Sequence, residues 1–404
     1  MKKLLLLCGL LLLLSLLTSC PFFLSIGPVS MKDTELTRVW YIEDAWPGIM
    51  PLSMAPPYLF IPLYAQGGLL CADLETGEVL WRYEELFSPM SDAVYYDGRV
   101  YIQGIIPGGK VSLFCFTIEG AYAGSFNLEN FENAYPRVRN CRLYLIGDAL
   151  IWPAYWGHVH SFDLSVPITE LSPGELDPAP HHRILYSAAH DSDSIIVLGS
   201  SIVGIGDDII FNYEVEGYPE VNKTIRLNRK TGAIVWEHDV KSHNFGEVDM
   251  LLIDEDRLLI SGIDGWELIH PETRKSYWSI PDELLKSLTH PMVVGKTIYA
   301  VGAGANPAIA GFSLKTGIRT AAWNYEYGLW QPVREHNGII YISGQDETLL
   351  YDTKKNVFVA RDKTHPGYSS QVNNPLKYKD LFIHFCNDKD VGGYVEALRM
   401  DYKR

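Results

Sequence analysis

The side chains best placed by type and spacing to do chemistry form a histidine-rich run: His181-His182, followed by His190, Asp191 and Asp193. Imidazole and carboxylate together make a zinc-ligand set. Adjacent histidines rarely aim at one ion, however. The run also belongs to the longest insertion of the chain, about 165–193, which holds Pro173-Gly174 and Pro178-Ala179-Pro180. Such a stretch reads as a polar surface loop, so His181, His182 and His190 are weak metal candidates and no metal is expected. His158-Val159-His160 alternates as in a strand, which puts both rings on one side; beside Tyr155 and Trp156 they read as packing. Asp254-Glu255-Asp256 marks a hairpin turn rather than an acid–base pair. Gly302-Ala303-Gly304-Ala305 has no helix after it to make a phosphate site. Nucleophile–histidine–acid triads are spatial rather than sequential, and none is legible, so no catalytic residue is assigned.

Thiol chemistry is clearer at the start of the chain. Met1-Lys2-Lys3 is a short positive segment, and Leu4 to Leu17 is strongly apolar. The apolar run is short for a membrane span and lacks stop-transfer charges, so 1–19 reads as a signal peptide. It ends Leu17-Thr18-Ser19-Cys20, which resembles the bacterial lipobox. That resemblance implies lipid transfer to the Cys20 thiolate, cleavage before Cys20 and acylation of the new N-terminus. Pro21 and Phe22 follow, with no Asp to resemble the inner-membrane retention signal, so outer-membrane residence is expected. More than one acyl chain anchors stably, and 20–30 would be a tether. The net charge is −15, from 34 basic and 49 acidic residues; loss of the two leader lysines leaves 32 basic residues and −17. That excess disfavours nucleic acid and polybasic membrane contact. Of the remaining cysteines, Cys71 and Cys115 read as buried small apolar residues, whereas Cys141 and Cys386 could pair only if the fold brings them together.

The elements that must position these groups repeat. Ala72-Asp73-Leu74-Glu75-Thr76-Gly77-Glu78-Val79-Leu80-Trp81 and Leu227-Asn228-Arg229-Lys230-Thr231-Gly232-Ala233-Ile234-Val235-Trp236 are the clearest copies, and Phe312-Ser313-Leu314-Lys315-Thr316-Gly317 to Trp323 is a looser one. Each is an apolar strand, a polar turn closing on Thr-Gly, and a strand carrying Trp. A period of roughly 40 residues with this content is a propeller signature. Outer-strand positions recur near Trp40, Trp81, Phe126, Glu170, Trp236, Trp278, Trp323 and Val359. First-hairpin turns recur near Pro57, Gly98, Asp148, Asp207, Asp256, Gly295, Gly338 and Asp380. Both series predict eight blades of four antiparallel strands over 31–404, with seven as the alternative. The last unit stops after three strands near Val395-Glu396-Ala397-Leu398, and Leu36 to Tyr41 is a strand without partners of its own. Pairing the two would close the ring and remove two sheet edges.

The Asp/Asn-x-x-Thr-Gly-x-x-x-Trp copies at Asp73–Trp81 and Asn228–Trp236 resemble the quinoprotein-type, or PQQ-like, propeller repeat. An acylated eight-bladed member of that family is similar to the propeller lipoproteins of the outer-membrane β-barrel assembly machinery. The resemblance implies a lipid-anchored, monomeric envelope protein that binds a protein partner or complex, with no cofactor and no catalysis. Members of that family that act as quinone-dependent dehydrogenases resemble one another in an adjacent Cys-Cys pair over the quinone, which this sequence lacks. The alternatives are a surface-exposed propeller that binds carbohydrate or a small ligand and, more remotely, a quinone-dependent dehydrogenase. Connections from each outer strand to the next blade share one face, and here they carry aromatics and acids, the composition of interface hot spots. Trp46, Trp330, Phe87, Tyr327, Glu43 and Asp44 are therefore the candidate binding residues.

Overall fold

The computed structural model describes residues 31–402 apart from 49, 85–86, 107–110, 128–141, 155–157, 167–174, 177–180, 188–195, 216–222, 240–249, 263–264, 282–287, 303–308, 324–333, 344–346, 364–374 and 389–391. Lys32–Arg404 is one compact unit. Eight antiparallel four-stranded sheets form an eight-bladed propeller, and no described residue is helical. Blade 1 consists of Ser53–Ala55, Tyr58–Leu63, Gly68–Asp73 and Val79–Tyr83. Blades 2 to 7 follow at 88–127, 144–187, 196–239, 250–281, 288–323 and 334–362. Blade 8 takes Leu376–Tyr378, Leu381–Asp388 and Gly392–Arg399 from the end of the chain and its outer strand, Arg38–Ile42, from the beginning. Tyr41 lies opposite Glu396 and Ile42 opposite Val395 in that closing ladder.

All eight first-hairpin turns fall where the sequence places them, and so do seven of the eight outer-strand positions. Blade 3 is the correction. Its outer strand is His182–Ser187, not a strand near Glu170, which lies outside the described residues. The inserted stretch is also not simply a loop. Glu175–Leu176 pairs in parallel with Tyr122–Asn127 and adds a fifth strand to blade 2. Lys32–Asp33 does the same for blade 7, beside Val357–Asp362. These short strands cover outer edges that would otherwise leave backbone groups unpaired.

Burial follows strand position rather than simple alternation. Tyr58–Leu63 and Gly68–Asp73 are buried at nearly every residue, whereas the outer Val79–Tyr83 is mostly exposed. The middle strands have a neighbouring blade on each face, so both faces must be apolar. The core is accordingly a series of seams. Leu59, Ile61, Leu70 and Ala72 of blade 1 pack on Ile383, Phe385, Val395 and Ala397 of blade 8. Phe60, Cys71, Phe114 and Phe116 fill the seam between blades 1 and 2.

The Thr-Gly turn joins neighbouring blades. Asp73 Oδ1 accepts hydrogen bonds from Glu75 N, Thr76 N and Thr76 Oγ1, and Asn228 Oδ1 accepts the same three from Lys230 and Thr231. This local network shapes the turn, and Gly77 closes it at φ +70°, a value that suits glycine. The preceding blade's indole then lies on the turn. Trp40 Nε1 donates to Leu74 O at 3.1 Å, Trp81 to Ile118 O at 2.8 Å, Trp236 to Pro271 O at 2.8 Å and Trp278 to Leu314 O at 3.0 Å. The Trp40 contact crosses the closing seam, as do the hydrogen bond from Tyr378 Oη and the ion pair from Lys379, both to Glu75.

Candidate functional site

The connection from blade 8 to blade 1 carries the described part of the expected aromatic rim. Asp44 takes φ +51°, a left-handed conformation that Asp tolerates better than most residues. Its carbonyl accepts from Arg82 Nη2 at 2.9 Å and Gln66 Nε2 at 3.3 Å. Ala45 N donates to Gly393 O, and Tyr64 N donates to Trp46 O at 2.9 Å. The segment is thereby tied to the turn between the second and third strands of blade 1. Gly48 lies against the Tyr64 ring, where an added Cβ would come within 2.7 Å of Cγ.

Fixed in this way, Trp46 stays 40% exposed, Tyr64 50% and Tyr41 48%. Glu43 and Asp44 are exposed beside them, and Tyr41 Oη donates to Glu43 Oε1 at 3.1 Å. Three exposed rings with two carboxylates make a surface that can cover an apolar partner group and pair with a basic one. Sequence reasoning picked out Trp46, Glu43 and Asp44 and missed Tyr41 and Tyr64. Tyr41 lies inside the strand pattern, and Tyr64 joins the patch only through the Trp46–Tyr64 backbone bond. Phe87 must be removed from the rim. It is 2% exposed and stacks on Phe114 at 4.0 Å between centroids, wedging blades 1 and 2 together. Trp330 and Tyr327 lie outside the described residues.

Among the described residues, His181 and His182 do not converge on one point. His181 stacks on Phe162 at 5.1 Å, stands edge-on to Phe126 at 5.3 Å, and places Nδ1 3.1 Å from Asp163 O. His182 Nε2 instead meets His160 Nδ1 at 2.9 Å, and His160 stacks on Trp152 at 5.0 Å. Burial, and then the neighbouring His182 and His158, push His160 down to about 3. Burial pushes His182 down to about 4. The two are a neutral packed pair in which one ring donates to the other. His190 lies outside the described residues.

Among the described residues, one cluster combines three metal-ligating side-chain types: His384, Cys386 and Glu396 in blade 8. The strands Leu381–Asp388 and Gly392–Arg399 pair with His384 opposite Glu396 and Cys386 opposite Tyr394. Glu396 Oε1 lies 3.0 Å from His384 Nε2 and accepts from Cys386 Sγ at 3.2 Å. Its other oxygen takes Arg38 Nε at 2.7 Å. Arg38 comes from the N-terminal strand and also lies over the rings of Tyr41, at 5.1 Å, and Tyr394, at 5.7 Å. The buried carboxylate therefore reaches the exposed patch through one guanidinium. Burial first, and the Glu396 charge next, push the Cys386 thiol well above its ordinary value, so it is protonated here. Cys386 is a free thiol, as are the buried Cys71 and Cys115; Cys141 lies outside the described residues. No sequence signal marks the cluster, because its parts meet only through strand register and ring closure.

Farther along the ring, burial and then the nearby Arg142 guanidinium push Arg334 down to about 10.

No family model matches the chain, and no curated protein matches it. Solved structures do match. BamB from Moraxella catarrhalis superposes with a TM-score of 0.63 at 11% identity, over 90% of this chain and 99% of that one. The quinohemoprotein alcohol dehydrogenase ADHIIG from Pseudomonas putida HK5 gives 0.60 at 10% identity, over 91% of this chain and 77% of that one. The quinohemoprotein alcohol dehydrogenase from Comamonas testosteroni gives 0.59 at 9%, over 93% and 79%. The fold is thus that of the PQQ-like eight-bladed propellers. Two of these neighbours are named as alcohol dehydrogenases and the third is not named as an enzyme, so the fold leaves enzymatic status open.

Proposed function

We propose that this chain is a non-catalytic, lipid-anchored propeller of the bacterial cell envelope that acts as a scaffold for a protein partner. The observation that carries the reading is the exposed Trp46, Tyr64 and Tyr41 cluster with Glu43 and Asp44, held by backbone hydrogen bonds on a rigid ring. Aromatic anchors ringed by charge are what binding hot spots are made of. Trp330 and Tyr327 belong to the same proposed rim. Support for the location comes from the Leu17-Thr18-Ser19-Cys20 sequence and from the match to BamB over 99% of that chain. The outer membrane is the proposed site of anchorage, through acylated Cys20, and outer-membrane protein assembly is the envelope process that the repeat resemblance nominates. A second reading, a surface propeller that binds carbohydrate, draws on the same exposed rings, since an indole or phenol face also stacks on a sugar.

Crosslinking in intact cells separates these readings. A photoreactive residue at Trp46 should capture one envelope protein. Trp46→Ala with Tyr64→Ala, or with Trp330→Ala, should lose that partner while the ring stays folded. Cys20→Ser should release the protein from membranes. No protein adduct, together with tryptophan quenching by glycans, would transfer the assignment to the carbohydrate reading. Alcohol oxidation by protein supplied with quinone and calcium would overturn both.

A further inference from the structure

The blade 8 cluster has the composition and spacing of a metal site. Nε2 of His384, Sγ of Cys386 and Oε1 of Glu396 all lie within 4.8 Å of one another. Their separations are 3.0 Å from nitrogen to oxygen, 3.2 Å from sulfur to oxygen and 3.6 Å from sulfur to nitrogen. A tetrahedral ion with bonds of about 2.0–2.1 Å to nitrogen and oxygen and about 2.3 Å to sulfur sets ligand–ligand edges of roughly 3.3–3.6 Å. The nitrogen–sulfur edge already has that length. The two edges at Oε1 need to open by only a few tenths of an ångström, which side-chain torsions supply without moving the strands.

The surroundings suit the same ion. All three side chains are buried, and Glu396 has no exposed surface. Arg38 holds Oε2 and leaves Oε1 facing the histidine and the thiol, the orienting role that outer-shell groups play around metals. Thiolate and carboxylate contribute two negative charges and Arg38 one positive, so a divalent ion leaves the site with a single net positive charge. A mixed sulfur, nitrogen and oxygen set favours zinc over magnesium or calcium.

We propose that His384, Cys386 and Glu396 bind one thiophilic divalent cation of the zinc type, with the fourth position left to water. Binding forms a metal–sulfur bond and sends the thiol proton to solvent, with no change in oxidation state. The imidazole coordinates through Nε2 and carries its proton on Nδ1. Because Nδ1 is buried with no hydrogen-bond partner among the described residues, affinity should be about 10–100-fold below that of a site with an outer-shell acceptor. The ion cross-links the two middle strands of blade 8 next to the residue that secures the N-terminal strand, so it reinforces ring closure.

Cobalt substitution tests this in the purified full-length chain, refolded with and without the ion. The expected result is one cobalt per chain, a near-ultraviolet thiolate-to-cobalt charge-transfer band, tetrahedral visible bands and one proton released per ion. Cys386→Ser should lose the charge-transfer band, His384→Gln should weaken binding at least tenfold, and Cys115→Ser should change neither. If Cys386→Ser does not fold, the band and the proton count in the unmutated chain still decide the matter. Refolded, native-like protein that takes up no stoichiometric cobalt or zinc, or that binds cobalt without a thiolate band, would overturn the proposal.

Discussion

Replacing Gly77 and Gly98 separately by alanine isolates the contribution of indole docking to the ring. Both glycines are left-handed, at φ +70° and +79°. An L-residue in that conformation costs roughly 1–2 kcal/mol, and this is the whole expected cost at Gly98, where an added Cβ meets nothing within 4 Å. At Gly77 the same Cβ would lie 2.7 Å from Trp40 Cδ2, 2.8 Å from Cγ and 2.9 Å from Cβ. The clash reaches the root of the side chain, so the indole must shift bodily. Overpacking of this kind costs about 1–3 kcal/mol. Losing the bond from Trp40 Nε1 to Leu74 O removes about 0.5–1.5 kcal/mol more. Gly77→Ala should therefore destabilise by roughly 2.5–6.5 kcal/mol and Gly98→Ala by roughly 1–2 kcal/mol. Urea unfolding followed by far-ultraviolet circular dichroism and tryptophan fluorescence reads the difference. Equal midpoints for the two variants would refute the claim that the Trp–turn contact holds the closing seam.

Trp236→Phe and Trp278→Phe should each cost about 1 kcal/mol through the lost hydrogen bond to Pro271 O or Leu314 O. Because they act at different seams, the double variant should be close to additive in the same unfolding assay. His160 and His182 have folded values of about 3 and about 4, below the roughly 6.5 of an unfolded histidine. The unfolded chain therefore takes up these protons first. The pair's stability is fully present above the unfolded value and is lost as pH falls toward the folded values, at up to about 1.36 kcal/mol per pH unit per group. Stability measured from pH 7 to pH 4 should fall less steeply in His160→Gln than in the unmutated chain; parallel profiles would count against a neutral pair. Deleting 31–42 removes the outer strand of blade 8 and the fifth strand of blade 7, and should increase self-association relative to the unmutated chain by size-exclusion chromatography.

The periodic features were legible in the sequence because they arise locally. An Asp or Asn three residues before the Thr of Thr-Gly bonds to its own turn, so Asp73 and Asn228 carry their geometry in the text. Arg274 and Asn356 take the glycine's left-handed place in the corresponding turns of blades 5 and 7, at φ +60° and +54°, so those turns carry no Thr-Gly signature. Blade 3 was misread because its third and fourth strands are separated by an insertion that lends Glu175–Leu176 to blade 2. Phe87 was misassigned because exposure is a property of the neighbouring sheet, here the ring of Phe114.

The sequence by itself determined the strand-and-turn repeat and the pairing of the chain's beginning with its end, and favoured eight blades over seven, since these follow from apolar periodicity and local turn chemistry. Only the tertiary structure decided which rings remain in solvent and which titratable groups meet. Trp46 with Tyr64, and Arg38 with Glu396 across 358 positions of sequence, are brought together by cross-strand register and ring closure. Those are long-range constraints, and no window of the sequence contains them.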